Sequence, residues 1–177
     1  MRTLYIERST GDCRSGDWVG RLDLGEKPER IVVGTGPGSF AGIRSALAFA
    51  QGYAIGSGCE VLGLPSACAL AEPSRKIAVV GDARRGMFWV ALYDGLSQVG
   101  DIFQVAREGL RDAVPQDFAV TTPDAARIDS VLAETFGERY EGGRTPDEDG
   151  LRAYAEANPA ELKLEPLPIY LNPAVRD

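Results

Sequence analysis

A glycine-rich stretch at 34–39, G-T-G-P-G-S, has residue types and spacing that could bind a ligand. Residues 36–41 fit the pattern GxGxxA between an apolar run and a helical run, which is the setting of a dinucleotide-binding loop. A Walker A phosphate loop is excluded because no lysine follows the last glycine before Lys76. A dinucleotide loop also needs an acidic residue at the end of the next strand. Here the acidic residue Glu60 stands at the start of that strand, and the end of the strand, G-L-P at 63–65, contains none.

This stretch, hereafter the elbow, leaves three interpretations open. It consists of Gly34, Gly36, Pro37, Gly38 and Ser39. Glycines supply positive φ and close backbone approach at a strand-to-helix corner, so the elbow can be purely structural. It can also be an anion-binding loop of a nucleotide-binding enzyme, or a corner that positions the following helix for a partner protein.

The composition excludes several classes of enzyme. No histidine occurs among the 177 residues, which removes an HExxH zinc site, a Ser-His-Asp triad and a Cys-His pair. The three cysteines form no CxxC pair, so neither a disulfide framework nor a zinc site is expected. The net charge of −7 repels phosphate backbones, which argues against direct nucleic-acid binding. We therefore expect no catalytic residue, no metal and no cofactor.

The elements around the elbow alternate between strands and helices, which predicts an α/β fold. No apolar run reaches the ~18 residues of a membrane span, and no secretory signal is visible, so we expect a cytoplasmic protein without a membrane segment. Strands are predicted at 2–7, 17–24, 30–34, 60–64 and 117–122, and helices at 39–55, 65–72, 123–136 and 151–158. An antiparallel meander is predicted from 76 to 105 around the turn at 82–86, and a solvated loop at 137–150.

The polar break P-S-R-K at 73–76 predicts a boundary between two lobes. The first lobe, 1–73, contains the elbow and the long helix. The second lobe is expected at 74–165. The tail at 166–177 is expected to return to the first lobe.

Apolar and small residues cover about half the circumference of the long helix, more than one packing face requires. One stripe contains Phe40, Ile43, Leu47, Ala50 and Ala54, and a second contains Gly42, Ala46, Phe49 and Tyr53. No helix is predicted between residues 1 and 38 to cover the second stripe. A neighbouring helix of the same chain remains an alternative, but we expect the second stripe to be a partner interface, through which the isolated protein forms a homodimer.

Three motifs carry a resemblance to a known family. V-G-T-G-P-G-S-F-A-G-I-R at 33–44 resembles the signature of the TsaB family, also called YeaZ. D-A-R-R at 82–85 with the strand ending at Tyr93, and P-I-Y-L at 168–171, are similar to its other two motifs. The resemblance implies an actin-like ATPase (ASKHA) fold of two small lobes. It also implies a non-catalytic subunit that supports threonylcarbamoyladenosine (t6A) modification of tRNA through a TsaD-type catalytic paralogue, with a TsaE-type ATPase in the same complex.

The sequence departs from that family near its start. Only L-G-E-K-P-E at 24–29 joins the opening strands to the strand at 30–34, where family members have their first helix. We therefore expect a shortened member with a truncated N-terminal lobe. Glu7 and Arg8 also stand where the family reads I-D-T-S. Two other functions stay open: a nucleotide- or dinucleotide-binding enzyme that uses the elbow, and a homodimeric module without a tRNA role.

Overall fold

The structure is a computed structural model that describes residues 2–10 and 27–171. Its elements in chain order are β1 (Thr3–Ile6), β2 (Arg30–Gly34), α1 (Phe40–Ser57), β3 (Glu60–Leu64), β4 (Lys76–Arg84), β5 (Met87–Asp94), β6 (Ser97–Gln98), β7 (Phe103–Ala106), α2 (Leu110–Ala113), β8 (Ala119–Thr122), α3 (Ala125–Phe136), β9 (Tyr140–Gly143), α4 (Glu148–Ala157) and β10 (Lys163–Leu164). Short 3-10 helices lie at Ser66–Leu70, Arg107–Gly109, Gly137–Arg139 and Pro159–Glu161. The predicted strand at 17–24 lies outside the described residues.

The chain divides into two compact units, which confirms an α/β protein in two parts. The first unit comprises 1–69 with 146–169, and the second comprises 70–145 with 170–177.

Among residues 2–10 and 27–171, no helix is both long enough and apolar enough to cross a bilayer.

The first unit is built on a four-stranded sheet in the order β1-β2-β3-β10. The first three strands are parallel and β10 is antiparallel to β3. Because side chains alternate across a strand, Ile31 and Val33 point to the face that α1 covers, with Ile6 beside them. Leu151 and Tyr154 of α4 are fully buried, and Arg152 lies 5.9 Å from the ring of Tyr5 in β1.

Helix α1 has clear start and stop signals. The Ser39 side chain caps its first turn by accepting a hydrogen bond from the Gly42 amide at 3.3 Å. Gly58 ends the helix in the left-handed conformation, with its amide donating to the Ala54 carbonyl at 2.7 Å. The predicted helix after the elbow is therefore confirmed.

The second unit contains a six-stranded sheet in the order β6-β5-β4-β8-β9, with β7 also paired to β5. The long antiparallel pair β4–β5 confirms the predicted meander and its turn. The expectation of a solvated loop at 137–150 is wrong in part, because β9 pairs parallel with β8 and α4 begins at Glu148. β9 is stabilised by a hydrogen bond from the Thr121 hydroxyl to the Gly142 carbonyl at 2.9 Å. The core packs side chains of Ala78, Val80, Phe88, Val90, Leu92, Leu110, Val114, Phe118, Val120, Ile128, Leu132 and Phe136.

The compact units differ from the predicted lobes at 1–73, 74–165 and 166–177. The chain rejoins the first unit at residue 146, well before 166, because α4 packs there. Gly150 permits this packing, since a Cβ at that position would lie 2.0 Å from the carbonyl oxygen of Ala69.

Candidate functional site

The elbow is held by hydrogen bonds to its own unit. The Thr35 amide donates to the Leu64 carbonyl at 2.8 Å. The Gly36 amide donates to the Ser66 hydroxyl at 2.9 Å, and the Ser66 amide donates back to the Gly36 carbonyl at 2.7 Å. At the helix start, the Ser39 amide donates to the Ser9 carbonyl at 2.5 Å. Three amides of the elbow, those of Thr35, Gly36 and Ser39, are thus already bonded within the chain and are not free to bind a phosphate.

Two elbow glycines are required by close contacts. Gly36 has φ of +95°, and a Cβ there would lie 2.6 Å from the Ile43 side chain. A Cβ at Gly38 would lie 2.3 Å from the Ser9 carbonyl oxygen. These contacts favour the structural interpretation of the elbow, which stays a prediction.

Glu7 is a buried carboxyl group beside the elbow, and it is only 3% exposed. Its Oε1 accepts from the Ser9 amide at 2.6 Å, and a Cβ at Gly34 would lie 1.8 Å from its Oε2. Burial raises the pKa of Glu7, and hydrogen bonds involving Ser9 and Ser66 offset part of that rise. Sequence reasoning noted Glu7 only as a departure from the family. A glutamate ending an apolar strand was the signal available.

The stripe predicted as a partner interface lies partly in the core of the first unit. Gly42 and Ala46 are buried, and Ala46, which is 0% exposed, belongs to the core that α1 forms with the sheet. Phe49 and Tyr53 are half-buried against that core, with stacked rings 6.1 Å apart. The prediction considered only helices as cover, whereas the covering element is the sheet of the same unit.

The opposite face of α1 is exposed and almost uncharged. It presents Phe40, Ala41, Arg44, Ser45, Ala48, Gln51, Gly52, Ile55 and Gly56. Ile55 is 89% exposed, and Gly52 has no atom within 4 Å of its absent side chain. Although the chain carries a net charge of −7, α1 contains no acidic residue. We call this set of residues the outer face of α1.

The D-A-R-R segment forms the β4–β5 turn. Asp82 Oδ1 accepts from the Arg84 amide at 2.8 Å, and its Oδ2 lies 3.3 Å from Arg84 Nη1. Arg84 and Arg85 are exposed, with φ of +69° and +56°. The turn predicted at 82–86 is therefore confirmed. Among the residues that the structure describes, no three His, Cys, Asp or Glu side chains group as a metal site.

A family model described as TsaD, tRNA N6-adenosine threonylcarbamoyltransferase, matches residues 23–133. The chain belongs to the TsaD family. Two solved structures share its fold. One is an uncharacterized protein with similarity to peptidase YEAZ from Pseudomonas aeruginosa, at TM-score 0.63 and 23% identity, covering 82% of this chain and 74% of that one. The other is YeaZ from Pseudomonas aeruginosa, at TM-score 0.63 and 22% identity, covering 81% and 74%. The YeaZ-like, actin-like fold implied by the three motifs is confirmed.

Curated relatives match only part of the chain. The uncharacterized proteins Mb3455c of Mycobacterium bovis and Rv3421c of Mycobacterium tuberculosis are each 35% identical to it over 82 residues. That segment covers 45% of this chain and 39% of either relative, so the match spans less than half of their length.

Proposed function

We propose that this chain is a non-catalytic scaffold subunit of the t6A system and that it acts by binding a TsaD-type catalytic partner. The observation that carries the proposal is the outer face of α1. An exposed helix face that holds Ile55 and small residues, in a chain of net charge −7, is the kind of surface that a protein partner covers.

The residues of the outer face suit close helix packing. Ala41, Ser45, Ala48 and Gly52 lie at successive turns of α1 and have short side chains. A partner helix can therefore approach the α1 backbone closely. The elbow supports this role, because its hydrogen bonds to Ser9 and the 3-10 helix after β3 fix where α1 begins.

A scaffold role also agrees with the chemistry that the chain offers. It has no histidine to move protons or bind zinc near neutral pH. The Gly36 and Ser39 amides of the elbow are already bonded within the chain. We include in the proposal a cytoplasmic location, a TsaE-type ATPase in the same complex, and a homodimer through the outer face when no partner is present.

The test is direct binding to the TsaD-type protein encoded in the same genome. We expect calorimetry to give a saturable complex, and the gene for this chain to restore tRNA t6A, measured by mass spectrometry, in a strain that lacks it. No complex, together with unrestored t6A, would contradict the proposal. A homodimer that neither binds the partner nor restores t6A would favour the module without a tRNA role.

The nucleotide-binding alternative has its own readout. Purified chain would bind ATP, ADP or NAD with a Kd in the micromolar range, and that binding would be lost on substitution of Gly38. We expect no such binding, because Ser9 lies where a ligand would contact this glycine.

A further inference from the structure

Three cations between residues 70 and 145 form no ion pair with a described residue. Six of the nine lysines and arginines between 70 and 145, a range described throughout, form ion pairs. The remaining three are Arg85, Arg111 and Arg139. Arg85 lies at the β4–β5 turn, whereas Arg111 and Arg139 line one surface cleft of about 440 Å³. The cleft thus contains two of the three cations in this range that form no ion pair.

Both guanidinium groups in the cleft are fixed by backbone carbonyls. Arg111 donates from Nε and Nη2 to the Thr135 carbonyl, at 3.0 and 2.8 Å. Arg139 donates from Nε to the Phe118 carbonyl at 3.1 Å and from Nη2 to the Pro115 carbonyl at 2.8 Å. In the described part of the chain, the Nη1 group of each arginine has no hydrogen-bond acceptor. Each therefore keeps a charged donor group whose orientation is already set.

The charge of the cleft favours an anion. Its lining contains the two arginines and one carboxylate, Asp112, which is exposed and forms no ion pair with any described residue. The neighbouring Asp117 is bonded to Lys76 at 2.7 Å, and its pKa is lowered by that hydrogen bond and by the charges of both Lys76 and Arg139. The Thr135 carbonyl, near the negative end of α3, is bonded to Arg111. The lining thus holds two fixed positive charges and one exposed carboxylate, while Asp117 outside the lining is shared between Lys76 and Arg139.

We propose that this cleft binds a phosphate group, either as free phosphate or as the ester of a small molecule. Guanidinium N–H groups match the oxygen geometry of phosphate and form stronger hydrogen bonds than neutral donors do. The volume is within the range of small-molecule sites. A nucleic-acid backbone is disfavoured, because the chain's net charge of −7 repels a polyanion.

The test uses inorganic phosphate and AMP as probes, titrated by calorimetry against chloride at matched ionic strength. We expect Arg111→Gln and Arg139→Gln each to weaken phosphate binding by about tenfold or more, since each removes a charge-assisted pair. Arg107→Gln is the matched control, because Arg107 is paired with Glu134 at 2.9 Å and does not line the cleft. AMP binding that is weakened by the same two substitutions identifies a site for phosphate esters. Binding of inorganic phosphate but not of AMP identifies a free-phosphate site.

Both arginines also bond backbone carbonyls, so we expect both Gln variants to melt at lower temperature than the wild type. Affinity is therefore measured where circular dichroism shows each variant folded. If a Gln variant does not fold, Arg111→Lys is used instead; because it keeps the charge and loses only the planar fork, we expect a smaller loss of phosphate affinity. The proposal is overturned if the wild type shows no saturable phosphate binding below ~10 mM. It is also overturned if the cleft variants bind as tightly as Arg107→Gln.

Discussion

Two alanines on α1 allow partner binding to be separated from folding. Ala46 is 0% exposed and packs against the sheet, whereas Ala48 is exposed on the outer face. The same substitution at the two positions therefore has opposite expected effects. Ala48→Glu adds a carboxylate to the proposed interface, and Ala46→Glu adds one to the core.

The structure sets the size of each effect. At Ala48, glutamate remains in solvent in the free protein and is a good helix former, so we expect the free energy of unfolding to change by no more than ~0.5 kcal/mol. In a complex, its unpaired charge would be desolvated against an apolar partner, at a cost of about 3 kcal/mol, on the order of a hundredfold in Kd. At Ala46, a buried unpaired carboxylate costs several kcal/mol, a large part of the ~5–15 kcal/mol that holds a domain together.

The assays are urea unfolding for stability, light scattering for the homodimer, and calorimetry with the TsaD-type partner. Ala48→Gln is the matched control, because it has nearly the same size as Ala48→Glu but no charge, and we expect it to lose less affinity. The reasoning is refuted if Ala48→Glu binds the partner within about twofold of wild type, or if Ala46→Glu is as stable as wild type.

Three further predictions concern the elbow and its surroundings. Gly36→Val should lower the melting temperature, because φ is +95° and a Cβ would lie 2.6 Å from Ile43; an unchanged melt would contradict this. Burial raises the pKa of Glu7, so the wild type should lose stability as pH rises through that raised pKa. Glu7→Gln should therefore be more stable than wild type at pH 8, with a smaller difference at pH 4, in urea titrations; a pH-independent difference would count against a raised pKa. Added zinc should give no peptide hydrolysis, since the chain has no histidine; metal-dependent turnover that survives repurification would disprove this.

The elements of the fold were readable from sequence because their signals are local. The apolar run at 30–34 predicted β2, and the run after the elbow predicted a helix at 39–55, which the structure has as α1 (Phe40–Ser57). The orientation of α1 was not readable in the same way. Its hydrophobicity is nearly uniform around the helix axis, so periodicity alone did not distinguish the face on the sheet from the outer face.

Long-range features were beyond local reasoning for a different reason. The packing of α4 depends on the close approach of Gly150 to the backbone of Ala69, and these two residues are far apart in sequence. Arg111 and Arg139 are likewise held in one cleft by hydrogen bonds to backbone carbonyls. The spacing of charged residues in the sequence does not predict such bonds.

The division of the chain into two units also determines which unit can fold first while the chain is being synthesised. The sheet of the second unit lies wholly within 76–143, whereas the first unit needs α4 and β10 from later in the chain. The elbow gains its hydrogen bond from the Ile169 amide to the Thr35 carbonyl, at 2.8 Å, only once residue 169 is made. Because segments fold as they leave the ribosome, the strands of the second unit can pair while the first unit still lacks β10. A nascent chain stalled before residue 146 would therefore carry α1 on an incomplete sheet, without α4 beside β1.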